Sequence, residues 1–248
     1  MKKIGFVLLF LTLSLSASEI NIAVAANVSY AIEELKAAFE KRYPEIKVGV
    51  TLGSSGKLTA QIMHGAPYGL FMSANMSYPK ALEQKKMTLS KPQVYAKGTL
   101  AYFSLQERDF KDPLALLRSA QITRIAIANP KTAPYGKAAK EALQNAKVYT
   151  LLKPKFIYGE SIAQTVSYAV TAADIGIIAK SALFGKQMQH FKEGRHWSAV
   201  DPTLYSAIDQ GIVLLKYGED QEAYRDFYTF IFSAEAEVIF QKYGYITP

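Results

Sequence analysis

The chain is predicted to be an α/β protein with parallel strands joined by crossover helices. Three observations point there. Short alternating apolar runs interleave with helical patterns from residue 20 onward. Four strand ends run through small or polar residues directly into a helix start. The C-terminal stretch then closes in a long helical region, Gln221 to Tyr245.

The elements follow in order. Lys2-Lys3, the apolar run Ile4 to Leu15 and the small residues Ser16-Ala17-Ser18 form the pattern of a cleaved export signal, with cleavage near Ala17 or Ser18. The run falls short of the roughly 20 residues that a membrane span needs. Ile20 to Asn27 reads as the first strand. Ile32, Leu35 and Phe39 share one face of a helix that stops near Tyr43-Pro44. Ile46, Val48, Val50 and Leu52 alternate as a second strand, Ser55 to His64 is a helix stopped by Gly65, and Gly69 to Asn75 is a third strand. Gly98 to Leu105 reads as one strongly β run. Arg124 to Pro130 is a strand followed by a helix from Tyr135 to Ala146. Lys155 to Ser161 leads into a helix from Ile162 to about Val170. Asp174 to Leu183 gives a strand and a short helix, and Ser206 to Leu215 a final strand.

Composition narrows the function. With 248 residues, 50% hydrophobic and 20% charged, the chain is globular and long enough for one large domain or two modest ones. The absence of cysteine excludes disulfides, thiol nucleophiles and thiolate metal sites. Without Lys2 and Lys3, 27 basic residues face 21 acidic ones, a charge of +6. The lysines are scattered rather than clustered with aromatics, which argues against nucleic acid and leaves mild steering of an anion. There is no internal repeat and no Pro- or Gly-rich linker. Two arrangements remain open on pattern alone. One is a single doubly wound domain, which the pattern slightly favours. The other is two α/β lobes joined by crossing strands near Ala96 to Ala101 and Leu204 to Ala207.

Four junctions carry the chemistry: Ala25-Ala26-Asn27, Gly53-Ser54-Ser55-Gly56, Ala133-Pro134-Tyr135-Gly136 and Gly159-Glu160-Ser161-Ile162. The first turn of a helix offers N–H groups without intrahelical partners and about half a positive charge. Such junctions line the crevice at the carboxyl ends of the strands, and a small anion suits them. Taken singly, Asn27, Ser54 and Ser161 are ordinary N-caps. No P-loop spacing is present, since Gly53 to Lys57 is too short. His64, His190 and His196 have no metal-ligand spacing, and there is no G-x-S-x-G elbow. A hydrolase using Ser55 would have only His64 as a nearby base, more than two turns along the same helix. Glu160 and Asp174 are not placed together by anything in the sequence, and Trp197 is expected to pack.

The stretch from Gly53 to Asn75, GSSGKLTAQIMHGAPYGLFMSAN, resembles the first-lobe motif of periplasmic molybdate-binding proteins of ABC importers. AANVSYAIEEL, NPKTAPYGKAAKEAL, GESIAQTVSYAVTAADIGI and the final F-x-K-Y-G fit the same family, over nearly the whole mature chain. The resemblance implies a two-lobed type II periplasmic binding protein fold with the ligand in the cleft. Residues 1–18 would be the signal peptide, 19–98 and 206–248 lobe 1, and 99–205 lobe 2. It implies a periplasmic and monomeric carrier of molybdate or tungstate that hands its cargo to a membrane permease. It implies no enzyme activity, no cofactor, and metal bound only as the oxyanion. The family's ligand positions fall on Asn27, Ser55, Tyr135 and Ile162, the last two through backbone N–H, with Ser54, Ser161 and Ala179 as secondary candidates. The position of Ala179 is often tyrosine in the family, so one donor is lost there, and the Tyr135 hydroxyl is a candidate replacement. Ser54 is expected to cap the helix, and Lys57 to face solvent. A binding protein for sulfate or another small tetrahedral anion is the alternative.

Overall fold

The computed structural model describes residues 18–248, so the expected signal segment, apart from its last residue, lies outside the described residues. The elements in chain order are β1 (Ser18–Ala25), a 3-10 turn Ala26–Tyr30, α1 (Ile32–Arg42), β2 (Ile46–Gly53), α2 (Ser55–Met63), β3 (Leu70–Ser73), α3 (Ser77–Gln84), β4 (Gln93–Gly98) and β5 (Leu100–Phe103). Then come α4 (Pro113–Arg118), β6 (Ile125–Ala128), α5 (Pro134–Asn145), α6 (Tyr149–Leu152), β7 (Phe156–Gly159), α7 (Ile162–Thr171), β8 (Ile175–Ala179) and β9 (Trp197–Ala199). The described chain closes with β10 (Ile208–Leu214), α8 (Glu222–Ile231) and α9 (Ala234–Lys242).

These strands build two five-stranded sheets, in the orders β2-β1-β3-β10-β4 and β7-β6-β8-β5-β9. The two sheets rule out the single doubly wound domain. Each sheet has a parallel centre: β1 pairs with β2 and β3, and β6 pairs with β7 and β8. Each also takes antiparallel strands, β10 between β3 and β4, and β5 between β8 and β9. The chain leaves the first sheet at Thr99, between β4 and β5, and returns after β9.

The strand period of two explains the layering. Ile20, Ile22 and Val24 of β1 face a core that includes Leu35 and Phe39 of α1, Phe227 and Phe230 of α8, and Phe240 of α9. Ala23, between them, faces the opposite core with Leu58 and Ile62 of α2, Phe71 and Leu82. Phe39 meets Phe227 edge-on with ring centroids 5.0 Å apart and Phe230 at 5.6 Å, the geometry that aromatic quadrupoles favour.

Three expectations change. The first strand stops at Ala25, and Asn27 lies in the 3-10 turn. The run Gly98 to Leu105 is not one strand, because Gly98 ends β4 and only Leu100–Phe103 pairs in the other sheet. The C-terminal helical region breaks at Phe232-Ser233, where the Ser233 side chain accepts from the Ala236 N–H and starts α9. Beyond α9, Lys97 and Ile246 exchange both backbone hydrogen bonds, so the tail returns to β4.

Phe39→Ala should cost about 3–5 kcal/mol of unfolding free energy in urea titration, because a fully buried ring that packs on three others, Tyr43, Phe227 and Phe230, is removed. Val238→Ala, at a position 64% exposed on α9, should stay within about 0.5 kcal/mol of wild type.

Candidate functional site

The four junctions meet. Asn27, Ser54, Ser55, Tyr135 and Ile162 line one cavity together with Ala25, Ala26, Gly53, Ala74, Ala133 and Pro134. The first sheet supplies the Asn27 and Ser54-Ser55 turns, and the second supplies the starts of α5 and α7. Apolar packing continues across the gap, since Ala25, Ala26 and Ala74 belong to the same core cluster as Tyr135, Ile127 and Ile162. The space is tight: about 10 Å³ is open to the centre of a water-sized sphere. None of the lining residues carries a charge. Larger, open depressions lie elsewhere, such as one of about 310 Å³ beside Arg108, Arg124 and Asp174. There the Asp174 carboxylate already accepts from the Thr123 N–H, the Thr123 hydroxyl and the Arg124 N–H.

Each lining group has a definite state. Ser55 opens α2 and is fully buried. Its Oγ accepts from the Ala74 N–H at 2.9 Å, which fixes the hydroxyl and leaves its proton to donate. Ala74 was not foreseen, although it sits in the quoted S-A-N stretch. Ser54 occupies the N-cap position of α2 but makes no capping bond, contrary to expectation. Its buried Oγ has no partner among the described residues. The backbone N–H groups of Ser55, Tyr135 and Ile162 stand in first helical turns and likewise take no acceptor among the described residues.

Asn27 is wholly buried. Its Nδ2 donates to Gln210 Oε1 and to the Tyr245 hydroxyl, both at 2.9 Å, while Oδ1 accepts nothing from the described residues. The Asn27 carbonyl accepts from the Tyr245 hydroxyl at 2.8 Å and from Ser181 Oγ at 3.1 Å. The Tyr135 hydroxyl accepts from Gln210 Nε2 at 3.1 Å. Burial pushes that hydroxyl well above the ordinary tyrosine range, so it stays protonated. Gln210 and Tyr245 were missed by sequence reasoning. The one available signal was a glutamine inside the apolar run Ile208 to Leu215.

Two secondary candidates sit elsewhere. Ser161 is a cap: its Oγ accepts from the Gln164 N–H at 3.2 Å, and it is absent from the lining. Ala179 ends β8 opposite Leu100, inside the core, and its methyl offers no donor. The Tyr135 hydroxyl oxygen accepts from Gln210 Nε2, and its proton has no acceptor among the hydrogen bonds of the described residues. Lys57 does not simply face solvent either. It pairs with Glu160 across the cleft mouth, although both side chains remain more than half exposed. Beside that pair the Gly56 N–H donates to the Thr132 carbonyl at 2.9 Å. A Cβ on Gly56 would come within 2.9 Å of that carbonyl oxygen and of the Tyr78 hydroxyl, so glycine is what allows the approach. His64 merely ends α2, and no group of three or more His, Asp or Glu able to hold a metal ion occurs among the described residues.

Comparison with known proteins agrees with this geometry. The family model described as bacterial extracellular solute-binding protein matches residues 20–246. The molybdate-binding protein ModA of Rhodobacter capsulatus is 37% identical over 96% of this chain and 92% of its own length. ModA of Azotobacter vinelandii is 33% identical over 92% and 90%, respectively. The solved periplasmic molybdate-binding protein of Azotobacter vinelandii superposes with a TM-score of 0.86 at 27% identity, covering 92% of this chain and 99% of that one. Two facing sheets, an uncharged cavity where their helix starts converge, and a match along almost the whole described chain lead to one conclusion: the chain belongs to the family of bacterial extracellular solute-binding proteins.

Proposed function

We propose that this protein captures molybdate or tungstate between two lobes and delivers it to the membrane permease of an ABC importer. The lobes are residues 19–98 with 206–248, and residues 99–205. The single observation that carries this reading is the cavity in which the helix starts of both sheets meet and no charged side chain intrudes. A dianion buried without a cation needs neutral donors fixed in advance. Each hydrogen bond to such an ion contributes about 1.5–3 kcal/mol. The Ser54 and Ser55 hydroxyls and the N–H groups of Ser55, Tyr135 and Ile162 supply these donors, with Asn27 as a further contact. The ligand named in the relatives supports the choice of ion.

A site of this kind binds rather than transforms. A nucleophilic serine needs a base, and no imidazole, carboxylate or amine lines the cavity. Ligand held from both sides favours the closed lobes. The Gly56–Thr132 bond and the exposed Lys57–Glu160 pair then add to closure at the rim, the ion pair by little. The closed form is the surface that a permease reads. The carrier acts as a monomer in the periplasm, reached through the N-terminal export signal, and it uses no cofactor and no nucleic acid. No helix of the described residues is long and apolar enough to cross a membrane.

Titration calorimetry with molybdate, tungstate and sulfate tests the assignment; tighter binding of sulfate than of molybdate would overturn it. The two serines should separate. Ser54→Ala should weaken molybdate binding about tenfold and leave the unliganded melting temperature near wild type, since its hydroxyl has no protein partner. Ser55→Ala should weaken binding at least as much and also lower the unliganded melting temperature, because it strands the buried Ala74 N–H.

Affinity for molybdate should be flat between about pH 6 and pH 9, since the only titratable lining group is Tyr135, whose pKa is raised. Uptake or release of one proton per ion bound, read from calorimetry in buffers of different ionisation enthalpy, would contradict this. Gly56→Ala should weaken binding about fivefold by holding α2 away from Thr132, with little change in unliganded stability.

A further inference from the structure

Asn27, Gln210 and Tyr135 form a buried chain of polar groups that runs from one sheet to the other. Gln210 stands on β10, at the register shift against β4, and is fully buried. Its Oε1 accepts from Asn27 Nδ2 at 2.9 Å and from the Tyr95 hydroxyl at 3.4 Å. Its Nε2 donates to the Tyr135 hydroxyl at 3.1 Å. Gly98 leaves room for this contact, since a Cβ there would run into the Tyr135 hydroxyl and come within 2.6 Å of Gln210 Nε2.

The direction of this chain conflicts with an anion. Asn27 spends both amide hydrogens on Gln210 and Tyr245, which leaves Oδ1, an acceptor, without a protein partner in a residue that lines the cavity. A fully deprotonated oxyanion offers only acceptors, so it is repelled by that end. The proton of the buried Tyr135 hydroxyl also has no acceptor among the hydrogen bonds of the described residues, because its oxygen serves Gln210 as acceptor.

Both mismatches vanish if two amides turn over together, at the expense of two long contacts: the Tyr95 hydroxyl at 3.4 Å changes from donor to Gln210 Oε1 to acceptor from Nε2, and the 3.5 Å bond from Nε2 to the Ile208 carbonyl is given up. The ends of an amide are nearly equal in shape, so inversion needs no new space. Asn27 Oδ1 then accepts from Gln210 Nε2, and Gln210 Oε1 accepts from the Tyr135 hydroxyl. Asn27 Nδ2 becomes free to donate to the ion. The Tyr245 hydroxyl can turn its proton from the Asn27 carbonyl to Oδ1, because Ser181 Oγ still serves the carbonyl.

We propose that Gln210 is a positioning residue: capture of the oxyanion inverts the Asn27 and Gln210 amides as a unit, aiming a donor at the ion and tying Tyr135 of the opposite lobe to the same event. Gln210 touches no ligand. It sets the polarity of a residue that does, and it couples that polarity to the lobe interface. The inference rests on the binding reading above.

The test measures molybdate affinity by calorimetry in wild type, Gln210→Met, Tyr135→Phe and the double variant. The side-chain amide cross-peak of Gln210, assigned by its loss in Gln210→Met, is followed in a 15N-labelled titration. Tyr135→Phe keeps the backbone N–H and guards against misfolding of the buried methionine variant. The expected result is a loss of about tenfold for Gln210→Met, a smaller loss for Tyr135→Phe, and no further loss in the double variant, because both act through one chain. The Gln210 cross-peak should move when molybdate is added to wild type. Affinity within twofold of wild type in Gln210→Met, additive losses, or an unmoved cross-peak overturns the relay while leaving the oxyanion reading intact. Wild type that binds no molybdate overturns both.

Discussion

The structure depends on where its parallel strands end. In a right-handed strand–helix–strand unit each helix begins at the carboxyl edge of the sheet, so unpaired N–H groups gather along that edge. One sheet gives a shallow crevice there. This protein sets two such edges against each other, with the Asn27 and Ser54-Ser55 turns on one side and the starts of α5 and α7 on the other. Partial positive charge then surrounds one point without any charged side chain. The antiparallel strands β10 and β5 make this possible, because they lie next to the two passages between the sheets.

Close approach imposes small residues. Ala25, Ala26, Ala74 and Ala133 surround the polar groups and join the apolar core of the second sheet. Gly56 lets α2 reach the Thr132 carbonyl. Little room is left for water, and that low-dielectric setting raises both the worth of a good hydrogen bond and the cost of an unmade one. The unpartnered Ser54 Oγ and Asn27 Oδ1 are the points where that cost is concentrated. Both residues line the cavity in which the proposed oxyanion would sit.

In the proposed relay a residue outside the cavity, Gln210, governs it through a buried chain of hydrogen bonds. Tyr95, Tyr135 and Tyr245 surround the two amides, and burial raises the pKa of all three hydroxyls, so they remain neutral. Neutral hydroxyls can reverse between donor and acceptor by turning one proton, which a fixed charge cannot do. In the proposed relay such a network reverses its direction with no change in net charge.

Much of this was legible in the sequence. Alternation at Ile20, Ile22 and Val24 and the helical spacing of Ile32, Leu35 and Phe39 set local structure through nearest-neighbour periodicity. The four strand-to-helix junctions were legible because glycine, serine and proline at a helix start have local physical meaning, while the choice of Asn27, Ser55, Tyr135 and Ile162 within them came from the family resemblance. Local pattern could not say that Ser161 spends its hydroxyl on a cap while Ser54 does not, since the same residue in the same position can do either. It could not split Gly98 from Leu100, because both read as β and only their pairing partners differ. Above all it could not find Gln210 and Tyr245, which lie 183 and 218 residues from Asn27 along the chain. By itself the sequence determined the elements and the chemistry of each junction, which depend on neighbours a few residues away. Tertiary structure alone decided which junctions meet, which hydroxyls stay free and which amide holds which, because these are contacts between groups far apart in the chain.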